Sequence, residues 1–191
     1  MTEATAQRCP WCGEDPLYVR YHDEEWGVPV RTEIGLYEKL CLEGQQAGLS
    51  WITVLRKRER YRERFFGFDP ERVVQMTEAD LDDIVQDAGV IRHRGKLAAI
   101  IDNARATLSL RERDGLAELV WSYVDGATVQ NAPRSMADAP AKTPESEAMS
   151  KALRKAGFRF VGPTTCYAMM QACGLVNDHL VSCFRHRELR A

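Results

Sequence analysis

The sequence predicts an all-α protein, and three observations support this expectation. Apolar residues recur at helical spacing in one segment after another, residues typical of helix N-caps precede those segments, and glycine follows several of them. No segment alternates apolar and polar residues over the length of a strand; Val28-Pro29-Val30 is the nearest candidate and is too short. We therefore expect a core built by the packing of helices.

The first two predicted helices cover about residues 33–48 and 50–65. Helical spacing of apolar side chains defines the first of them, at Leu36, Tyr37, Leu40, Cys41 and Ala47. Gly48 suits the position just beyond a helix C-terminus, because glycine adopts positive φ without steric cost. Ser50 is a typical N-cap for the helix that follows.

Cap signals mark the next predicted helices. Asp69-Pro70 places an N-cap residue before a proline at the first helical position. Thr77 and Asp80 have the spacing of a capping box, with the shorter carboxylate, at the start of a helix that ends at Gly89. A long helix over about residues 92–111 follows, so that two helices meet at a hairpin within residues 77–112.

Two more helices and a long loop complete the predicted fold. Thr143-Pro144-Glu145 begins one helix, which ends at Gly157, and the other covers about residues 164–174. Between residues 126 and 143, alanine, proline and small polar residues predict a flexible surface loop. A chain of 191 residues suits one core, so we expect residues 1–191 to form a single domain.

The composition restricts the classes of function. A net charge of −2 excludes a uniformly basic nucleic-acid-binding protein, although local basic clusters remain possible. No apolar run approaches the roughly 20 residues of a membrane helix, and the N-terminal MTEATAQRCP lacks the hydrophobic core of a signal peptide. We therefore expect a cytoplasmic protein without a membrane partner. In that reducing compartment, six cysteines favour metal binding or free thiols over disulfides.

Soft metal ligands occur near both ends of the chain. Cys9, Cys12 and His22 lie near the N-terminus, whereas His179 and Cys183 lie near the C-terminus at a spacing that puts both on one face of a helix. Four thiolates and imidazoles suit tetrahedral Zn²⁺ and leave no position for a reactive water. The sequence predicts a structural zinc that joins the chain ends; the alternative is ordinary buried thiols and surface histidines.

Aromatic residues form a second candidate cluster. Tyr18, Tyr21 and Trp26 fall within a highly polar stretch beside His22, and Trp51 follows one helix later. Aromatic side chains most often belong to a core, but this polar setting is more typical of a stacking pocket. We therefore expect these rings to line a binding site.

Glu43 is the candidate functional acid. It lies three residues after Leu40 and four before Ala47, so it points toward the apolar stripe of its helix. A buried carboxylate is unfavourable unless it has partners, which favours a functional role over that of a solvated helix residue. The alternative is a solvated glutamate on the helix surface.

Basic residues follow the predicted hairpin. Arg92, His93, Arg94 and Lys96 open the long helix, where cations oppose the helix dipole. Backbone N–H groups at a helix start bind anions, so this arrangement predicts a phosphate-binding site. A second basic run, residues 56–64, alternates with acids and is expected to be a solvated helix face.

Four segments resemble the 3-methyladenine DNA glycosylase I family of bacterial base-excision enzymes. They are residues 15–29 (DPLYVRYHDEEWGVP), residues 41–51 (CLEGQQAGLSW), residues 87–96 (DAGVIRHRGK) and residues 171–179 (QACGLVNDH). The resemblance extends from about residue 8 to residue 183 and, because its blocks are long, is highly specific.

The resemblance implies a helix-hairpin-helix glycosylase that hydrolyses the N-glycosidic bond of 3-methyladenine in double-stranded DNA. We expect a monomer with one structural zinc. By position, the zinc ligands would be Cys9, His22, His179 and Cys183. Glu43 would read the edge of the extruded base, with activation of water as a further option, and the pocket would comprise Tyr18, Tyr21, Trp26, Gln46 and Trp51. The DNA contacts would be Leu49, which fills the gap in the duplex, and Gly89, Val90, Ile91, Arg92, Arg94 and Lys96, which grip phosphates.

Two positions depart from the family pattern. Cys12 adds a second thiol that could replace Cys9 as a ligand, although the spacing of Cys9 to His22 fits the family. Ile91 stands where many related glycosylases have a second glycine, which predicts a less close approach of phosphate.

The chemistry of the implied substrate explains why few catalytic groups are needed. N3-methylation makes the adenine cationic, so its glycosidic bond is already weak and the base leaves as a neutral molecule. Extrusion costs a few kcal/mol, and less for a damaged base. Tyrosine and tryptophan faces would stabilise the cationic ring by about 0.5–2 kcal/mol each. An ionised Glu43 would accept hydrogen bonds from the exocyclic amine and repel the oxygen of guanine.

Two other functions compete with excision. A zinc-stabilised nucleic-acid-binding module would need neither Glu43 nor pocket aromatics. A zinc hydrolase would need an open metal position, which four protein ligands would deny. Release of free base from methylated DNA distinguishes all three.

Overall fold

The computed structural model describes residues 7–190 and is helical, as the sequence predicts. Its helices are α1 (Pro16–Glu24), α2 (Glu33–Gln45), α3 (Trp51–Arg64), α4 (Pro70–Val73), α5 (Glu78–Ile84), α6 (Arg94–Arg111), α7 (Gly115–Trp121), α8 (Pro144–Lys155), α9 (Pro163–Ala172) and α10 (Phe184–Glu188). Short 3-10 turns occur at Pro10–Cys12, Phe66–Phe68, Ser122–Val124 and Met136–Asp138. Two strands, β1 (Val129–Gln130) and β2 (Val176–Asn177), pair in parallel.

Helix α2 is the central helix of the core. It packs against α3, α6, α7 and α9, and residues on every side of it are buried, including Leu36, Tyr37, Leu40 and Leu42. The side chain of Thr32 accepts a hydrogen bond from the N–H of Gly35 and caps its start. Because α2 is enclosed, polar side chains on it must either find partners inside the protein or face a cavity.

Most cap signals of the sequence are confirmed; Ser50 precedes α3 as predicted, but its hydroxyl contacts Thr53 Oγ1 at 2.8 Å and caps no backbone N–H. Thr77 and Asp80 form a reciprocal capping box at α5. Thr143 begins α8 in the same way, with Ser146 as its partner. Helix α6 begins two residues later than expected, at Arg94, because His93 is its N-cap and its Nδ1 accepts the N–H of Lys96 at 3.1 Å.

The sequence expectations were wrong at several places. Helices α1, α7 and α10 were missed, and α1 is capped by Asp15, which accepts the N–H groups of Leu17 and Tyr18. Helix α2 ends at Gln45 rather than near Gly48, and α5 ends at Ile84 rather than at Gly89. The paired strands β1 and β2 have only two residues each, too few for a periodic pattern. His179 and Cys183 do not share a helix; they lie in the turns between β2 and α10.

The segment 126–143 is held against the rest of the protein by specific contacts. Its strand β1 pairs with β2, and Asn131 Nδ2 donates to Asp178 Oδ1 at 2.7 Å. Further along, the N–H of Val181 donates to the carbonyl of Pro133 at 2.9 Å. These contacts place the end of the segment beside α1 and α9, where it completes a cleft. Within residues 7–190, no helix has both the length and the apolar character needed to cross a bilayer.

Candidate active site

A cleft of about 700 Å³ opens between α1, α2, the start of α3, α9 and the segment 126–143. It brings together Glu43 and all five residues that the sequence assigned to the pocket, and it adds others from distant parts of the chain. The lining comprises Trp11, Tyr18, Tyr21, Trp26, Glu43, Gln46, Trp51, Met136, Ala139, Ala168, Gln171, Asp178 and Leu180. The size and mixed lining suit a small aromatic ligand.

Aromatic rings form one wall of the cleft. The ring centroids of Trp11 and Tyr18 are 5.0 Å apart, those of Trp11 and Trp26 are 5.1 Å apart, and those of Tyr21 and Trp51 are 5.6 Å apart. These separations are typical of tilted and edge-on aromatic contacts. The buried indole N–H of Trp51 has no hydrogen-bond partner within residues 7–190.

Glu43 supplies the acidic group of the cleft. Its side chain is 6% exposed, and neither carboxylate oxygen has a hydrogen-bond or ion-pair partner in the described part of the chain. Burial raises the pKa of Glu43 from 4.5 to about 7, and the charge of Lys39, one turn earlier on α2, opposes this rise. A carboxylate that is buried without a protein partner is poised to accept hydrogen bonds from a ligand.

This raised pKa gives a testable effect of pH on stability. The folded protein holds the Glu43 proton to a higher pH than the unfolded chain does, so ionisation disfavours the folded state as the pH rises from 4.5 to about 7. Relative to Glu43→Gln, the wild-type protein should lose about 3 kcal/mol of unfolding free energy as the pH rises from about 4.5 to about 8, and nothing further above that. Urea denaturation of both proteins at several pH values measures this difference. If the difference in unfolding free energy between the two proteins did not change with pH, the raised pKa of Glu43 would be contradicted. Groups that titrate in both proteins contribute equally and cancel in this comparison.

Asp178 is the second carboxylate in the lining of the cleft. It accepts hydrogen bonds from Tyr167 at 2.7 Å, from Gln171 at 2.8 Å and from Asn131 at 2.7 Å. These three donors fix the carboxylate and join α9 to the segment 126–143. The cleft therefore has one fully bonded carboxylate, Asp178, and one without a protein partner, Glu43.

Four buried ligands meet beside the cleft. Cys183 Sγ lies 3.4 Å from His22 Nε2 and 3.6 Å from His179 Nδ1, and Cys9 Sγ lies 3.6 Å from His179 Nδ1. All four ligand atoms lie within 4.8 Å of one another. A tetrahedral metal ion with bonds of about 2.0–2.3 Å has ligand-to-ligand edges of roughly 3.5 Å, so the set fits such an ion.

The outward nitrogens of both histidines have acceptors. His22 Nδ1 lies 2.7 Å from Asp23 Oδ1, and His179 Nε2 lies 3.0 Å from the carbonyl oxygen of Trp26. Such contacts fix the tautomer that leaves the inward nitrogen free for a metal. The pKa of the Cys183 thiol lies below its usual value, because Cys9 and both histidines hydrogen-bond to it. Trp26 connects this cluster to the cleft: its carbonyl oxygen contacts His179, and its ring lines the cleft.

Cys12 lies outside the four-ligand cluster. Its Sγ donates to the carbonyl oxygen of Cys9 at 3.1 Å instead of pointing to the histidines. The 3-10 turn Pro10–Cys12 separates the two thiols and directs Cys9 inward. The geometry therefore favours Cys9 over Cys12 as the ligand.

The turn between α5 and α6, residues 85–93, forms the predicted hairpin. Gly89 is required there, because a Cβ atom at this position would lie 2.5 Å from Arg60 Cγ. Arg92 is exposed and pairs with no described carboxylate, whereas Arg94 pairs with Glu78 and Asp82. The backbone N–H groups of residues 92, 94 and 95 have no acceptor within residues 7–190. The hairpin thus has three backbone N–H groups without a described acceptor and one cation, Arg92, without a described carboxylate partner.

Comparison with known proteins decides the family. The model of the family described as methyladenine glycosylase matches residues 11–186. This chain belongs to the methyladenine glycosylase family. It is 54% identical to the DNA-3-methyladenine glycosylase 1 of Escherichia coli (strain K12) over 178 residues, which are 93% of this chain and 95% of the relative. It is 52% identical to the DNA-3-methyladenine glycosylase of Haemophilus influenzae over 177 residues, which are 92% and 96% of the two chains.

Solved structures of methyladenine glycosylases share the fold. A crystal structure of a 3-methyladenine DNA glycosylase I superposes with a TM-score of 0.92 and 55% identity, over 93% of this chain and 98% of that one. A Staphylococcus aureus structure, described as the structural basis of 3-methyladenine recognition, superposes with a TM-score of 0.90 and 36% identity, over 93% and 95%. The all-α fold and the family resemblance of the sequence are therefore confirmed.

Lys96 does not lie where the sequence placed it in this methyladenine glycosylase. It is 7% exposed, and its Nζ donates to the carbonyl oxygens of Gln45 at 3.0 Å and Ala47 at 2.6 Å. It therefore caps the C-terminal end of α2 instead of facing DNA. Val90 is also buried, and the N–H of Ile91 donates to Tyr61 Oη at 3.0 Å. The contacts of these residues are with the protein interior, and they fix the conformation of the hairpin.

The basic run 56–64 is more than a solvated face. Lys57 Nζ donates to the carbonyl oxygen of Ala88 at 2.5 Å, and Arg60 Nε donates to Asp87 at 2.7 Å. Helix α3 therefore holds the hairpin in place. Leu49 lies beyond the C-terminal end of α2 and is 41% exposed, at the edge of the cleft region that Glu43 lines.

Sequence reasoning missed half of the methyladenine glycosylase cleft: Trp11, Met136, Ala139, Ala168, Gln171, Asp178 and Leu180. Gln171 and Asp178 belong to a segment that carries the family resemblance, so their position could have been inferred. Trp11 adjoins the predicted zinc ligands, which is a weaker signal. Met136 and Ala139 belong to a segment whose composition indicates only a loop, and nothing local reveals what it covers.

Proposed function

We propose that this chain excises 3-methyladenine from alkylated DNA by hydrolysing the N-glycosidic bond, the first step of base-excision repair. The observation that carries the proposal is Glu43, a buried carboxylate without a protein partner, in an aromatic cleft of a methyladenine glycosylase. Close relatives are named DNA-3-methyladenine glycosylase, and one similar structure is described as a complex with 3-methyladenine. The sequence expectation of a cytoplasmic monomer is part of this proposal.

The cleft residues have complementary roles in this proposal. Tyr18, Tyr21 and Trp51 stack on the extruded base, with Trp26 supporting the wall and Gln46 adding a polar contact. Glu43 accepts hydrogen bonds from the exocyclic amine, and ligand binding favours its ionised form. No residue of the cleft is required as a strong general acid, because the cationic base leaves without protonation. Glu43 is also the candidate group for orienting the attacking water.

We propose that the four-ligand cluster holds one structural zinc ion. Two thiolates and two imidazoles are a typical donor set for zinc, and the distances among Cys9, His22, His179 and Cys183 fit its tetrahedral geometry. A metal bound there would join the N-terminal turn to the segment before α10. Because all four positions come from the protein, the proposed ion has no open position for water, which disfavours a zinc hydrolase.

The hairpin and Leu49 are proposed to contact the duplex. Free N–H groups near Gly95 and the cation of Arg92 suit phosphate, and exposed Leu49 suits the gap left by an extruded nucleotide. Arg92→Ala should therefore weaken binding to methylated and undamaged duplexes by the same factor and reduce the salt slope by about one. Fluorescence anisotropy across a salt series measures both.

A matched variant tests whether this effect is local. Arg105 lies further along α6 and pairs with Asp102, so Arg105→Ala removes the same charge away from the hairpin. It should leave both duplex affinities nearly unchanged. If Arg92→Ala instead altered which lesion is preferred, the hairpin would belong to the recognition site.

Release of free base tests the proposed function directly. Purified protein is incubated with DNA treated with a methylating agent, and released bases are identified by chromatography. We expect 3-methyladenine as the main released base, with abasic sites appearing in equal number. Stable binding to methylated DNA without base release would indicate the non-catalytic binding module instead.

A further inference from the structure

A buried lysine lies behind the aromatic wall of the cleft. Lys39 precedes Glu43 by one helical turn on α2 and is 9% exposed. Its Nζ lies 4.7 Å from the ring centroid of Tyr21 and 5.2 Å from that of Trp51, and it donates to Tyr21 Oη at 3.3 Å. The rings assigned to base stacking are therefore already in contact with a cation.

Packing alone gives little reason for this lysine. Lys39 forms no ion pair with any carboxylate of residues 7–190. The neighbouring carboxylate of Glu25 is bound by both terminal nitrogens of Arg58, at 2.5 Å and 2.8 Å. Burial of an ammonium group without a bonded carboxylate is unfavourable, so its retention points to a function.

The position of Lys39 bears on the charge of the base during excision. The N3-methylated base is cationic while it is attached to deoxyribose. When the C1′–N9 bond breaks, its electron pair goes to the base, which leaves as neutral 3-methyladenine. Positive charge passes to the sugar, water adds its hydroxyl to C1′, and a proton goes to solvent. A fixed cation behind the base therefore disfavours the starting state more than the transition state.

We propose that Lys39 sets the charge preference of the cleft, lowering its affinity for the cationic attached base relative to the neutral released base and so favouring bond cleavage. This inference rests on the proposed function. Lys39 acts through Tyr21 and Trp51 without touching the base. The charges of Lys39 and of ionised Glu43, one turn apart on α2, sum to zero; the carboxylate accepts from the amine edge of the base, and the ammonium opposes positive charge on its ring.

The expected size of the effect follows from the geometry. A base stacked on the far face of either ring would have its charge roughly 8 Å from the ammonium. At that separation, two unit charges in a protein change an affinity about tenfold. The aromatic faces alone would favour a cation, so Lys39 offsets the stabilisation that the sequence expectation assigned to them.

Two ligands of different charge test the proposal. Neutral 3-methyladenine represents the product, and 3,9-dimethyladeninium, in which a methyl group replaces the sugar, represents the cationic base. Their affinities are measured by quenching of tryptophan fluorescence at mildly alkaline pH. In Lys39→Met, the ratio of affinities should shift about tenfold toward the cation, and single-turnover excision should slow several-fold. Lys39→Gln also removes the charge but keeps an N–H donor, and it should show the same shift as Lys39→Met.

Controls separate charge from packing. Lys39→Arg keeps the charge and should keep the wild-type ratio within about twofold. Lys151→Met removes one charge from an exposed position on α8 outside the cleft and should not change the ratio. An unchanged ratio in both charge-removing variants, or an equal loss of affinity for both ligands, would overturn the proposal. Failure of the wild-type protein to release or bind 3-methyladenine would instead refute the proposed function.

Discussion

Glu43→Gln is expected to lower excision of 3-methyladenine about ten- to a hundredfold. The substitution keeps the shape of the side chain but removes its charge and replaces an acceptor with a donor toward the amine edge of the base. Loss of one charged hydrogen bond costs roughly 1.5–3 kcal/mol, which gives this range of effect. Single-turnover excision from a methylated duplex and the affinity for free 3-methyladenine measure it.

The structure predicts that folding survives this change. Glu43 has no protein partner to lose, and its pKa of about 7 means that its ionisation already disfavours the folded state. Stability should therefore stay constant or rise near neutral pH. A fall in activity without a fall in stability is the signature of a binding residue rather than a structural one.

Glu38→Gln is the matched control for Glu43→Gln. Glu38 lies on the same helix, accepts a hydrogen bond from Arg62 at 2.8 Å and is outside the cleft. Removing its charge should cost some stability and leave base affinity unchanged. Wild-type excision by Glu43→Gln would show that Glu43 is structural, and specificity would then be sought in Gln46 and the two tyrosines, Tyr18 and Tyr21.

Local signals explain why most of the helices could be predicted. Caps such as Thr77 and Thr143 act within four residues, so the sequence contains the whole interaction. Helix α1 was missed because its residues were judged by their polarity, although Asp15-Pro16 is a cap followed by proline. The β1–β2 pair could not be predicted, since it joins residues 129–130 to residues 176–177 by contacts that leave no periodic pattern.

Direction of side chains was the hardest feature to predict. Glu43 was correctly placed toward the interior, because its position on α2 relative to Leu40 and Ala47 fixes that direction. Lys96 was placed toward DNA because it lies at the start of a basic helix in a segment that resembles the family hairpin, whereas its Nζ donates to the free carbonyls at the end of α2. The burial of Lys39 could not be predicted from the sequence, because a lysine beside an acid on a helix is usually solvated.

With the proposed zinc site, Cys9→Ser is expected to remove most of the bound metal and to lower stability by several kcal/mol. A ligand that binds only the folded state stabilises it by about 4 kcal/mol when its free concentration is a thousandfold above Kd. Serine is a poor ligand for zinc, so this stabilisation would be lost along with the link between the chain ends. Elemental analysis of the purified protein and thermal unfolding with and without a chelator measure the two effects.

The loss of metal should also weaken ligand binding in the cleft. His179 is held to the carbonyl of Trp26, and Trp26, Asp178 and Leu180 line the cleft on either side of that contact. Loss of the proposed ion would free His179, so the affinity for 3-methyladenine should fall in Cys9→Ser and in chelator-treated wild-type protein alike. If the affinity for 3-methyladenine stayed constant after complete metal removal, the cluster would stabilise the fold without any influence on base recognition.

Cys12→Ser separates the two candidate thiols. Cys12 donates to the carbonyl oxygen of Cys9 and is directed away from the two histidines, and a serine hydroxyl can donate in its place. Zinc content, thermal stability and base affinity should therefore remain near wild type in this variant. Full zinc retention in Cys9→Ser together with zinc loss in Cys12→Ser would show that the N-terminal turn rearranges on binding the metal and presents the other thiol.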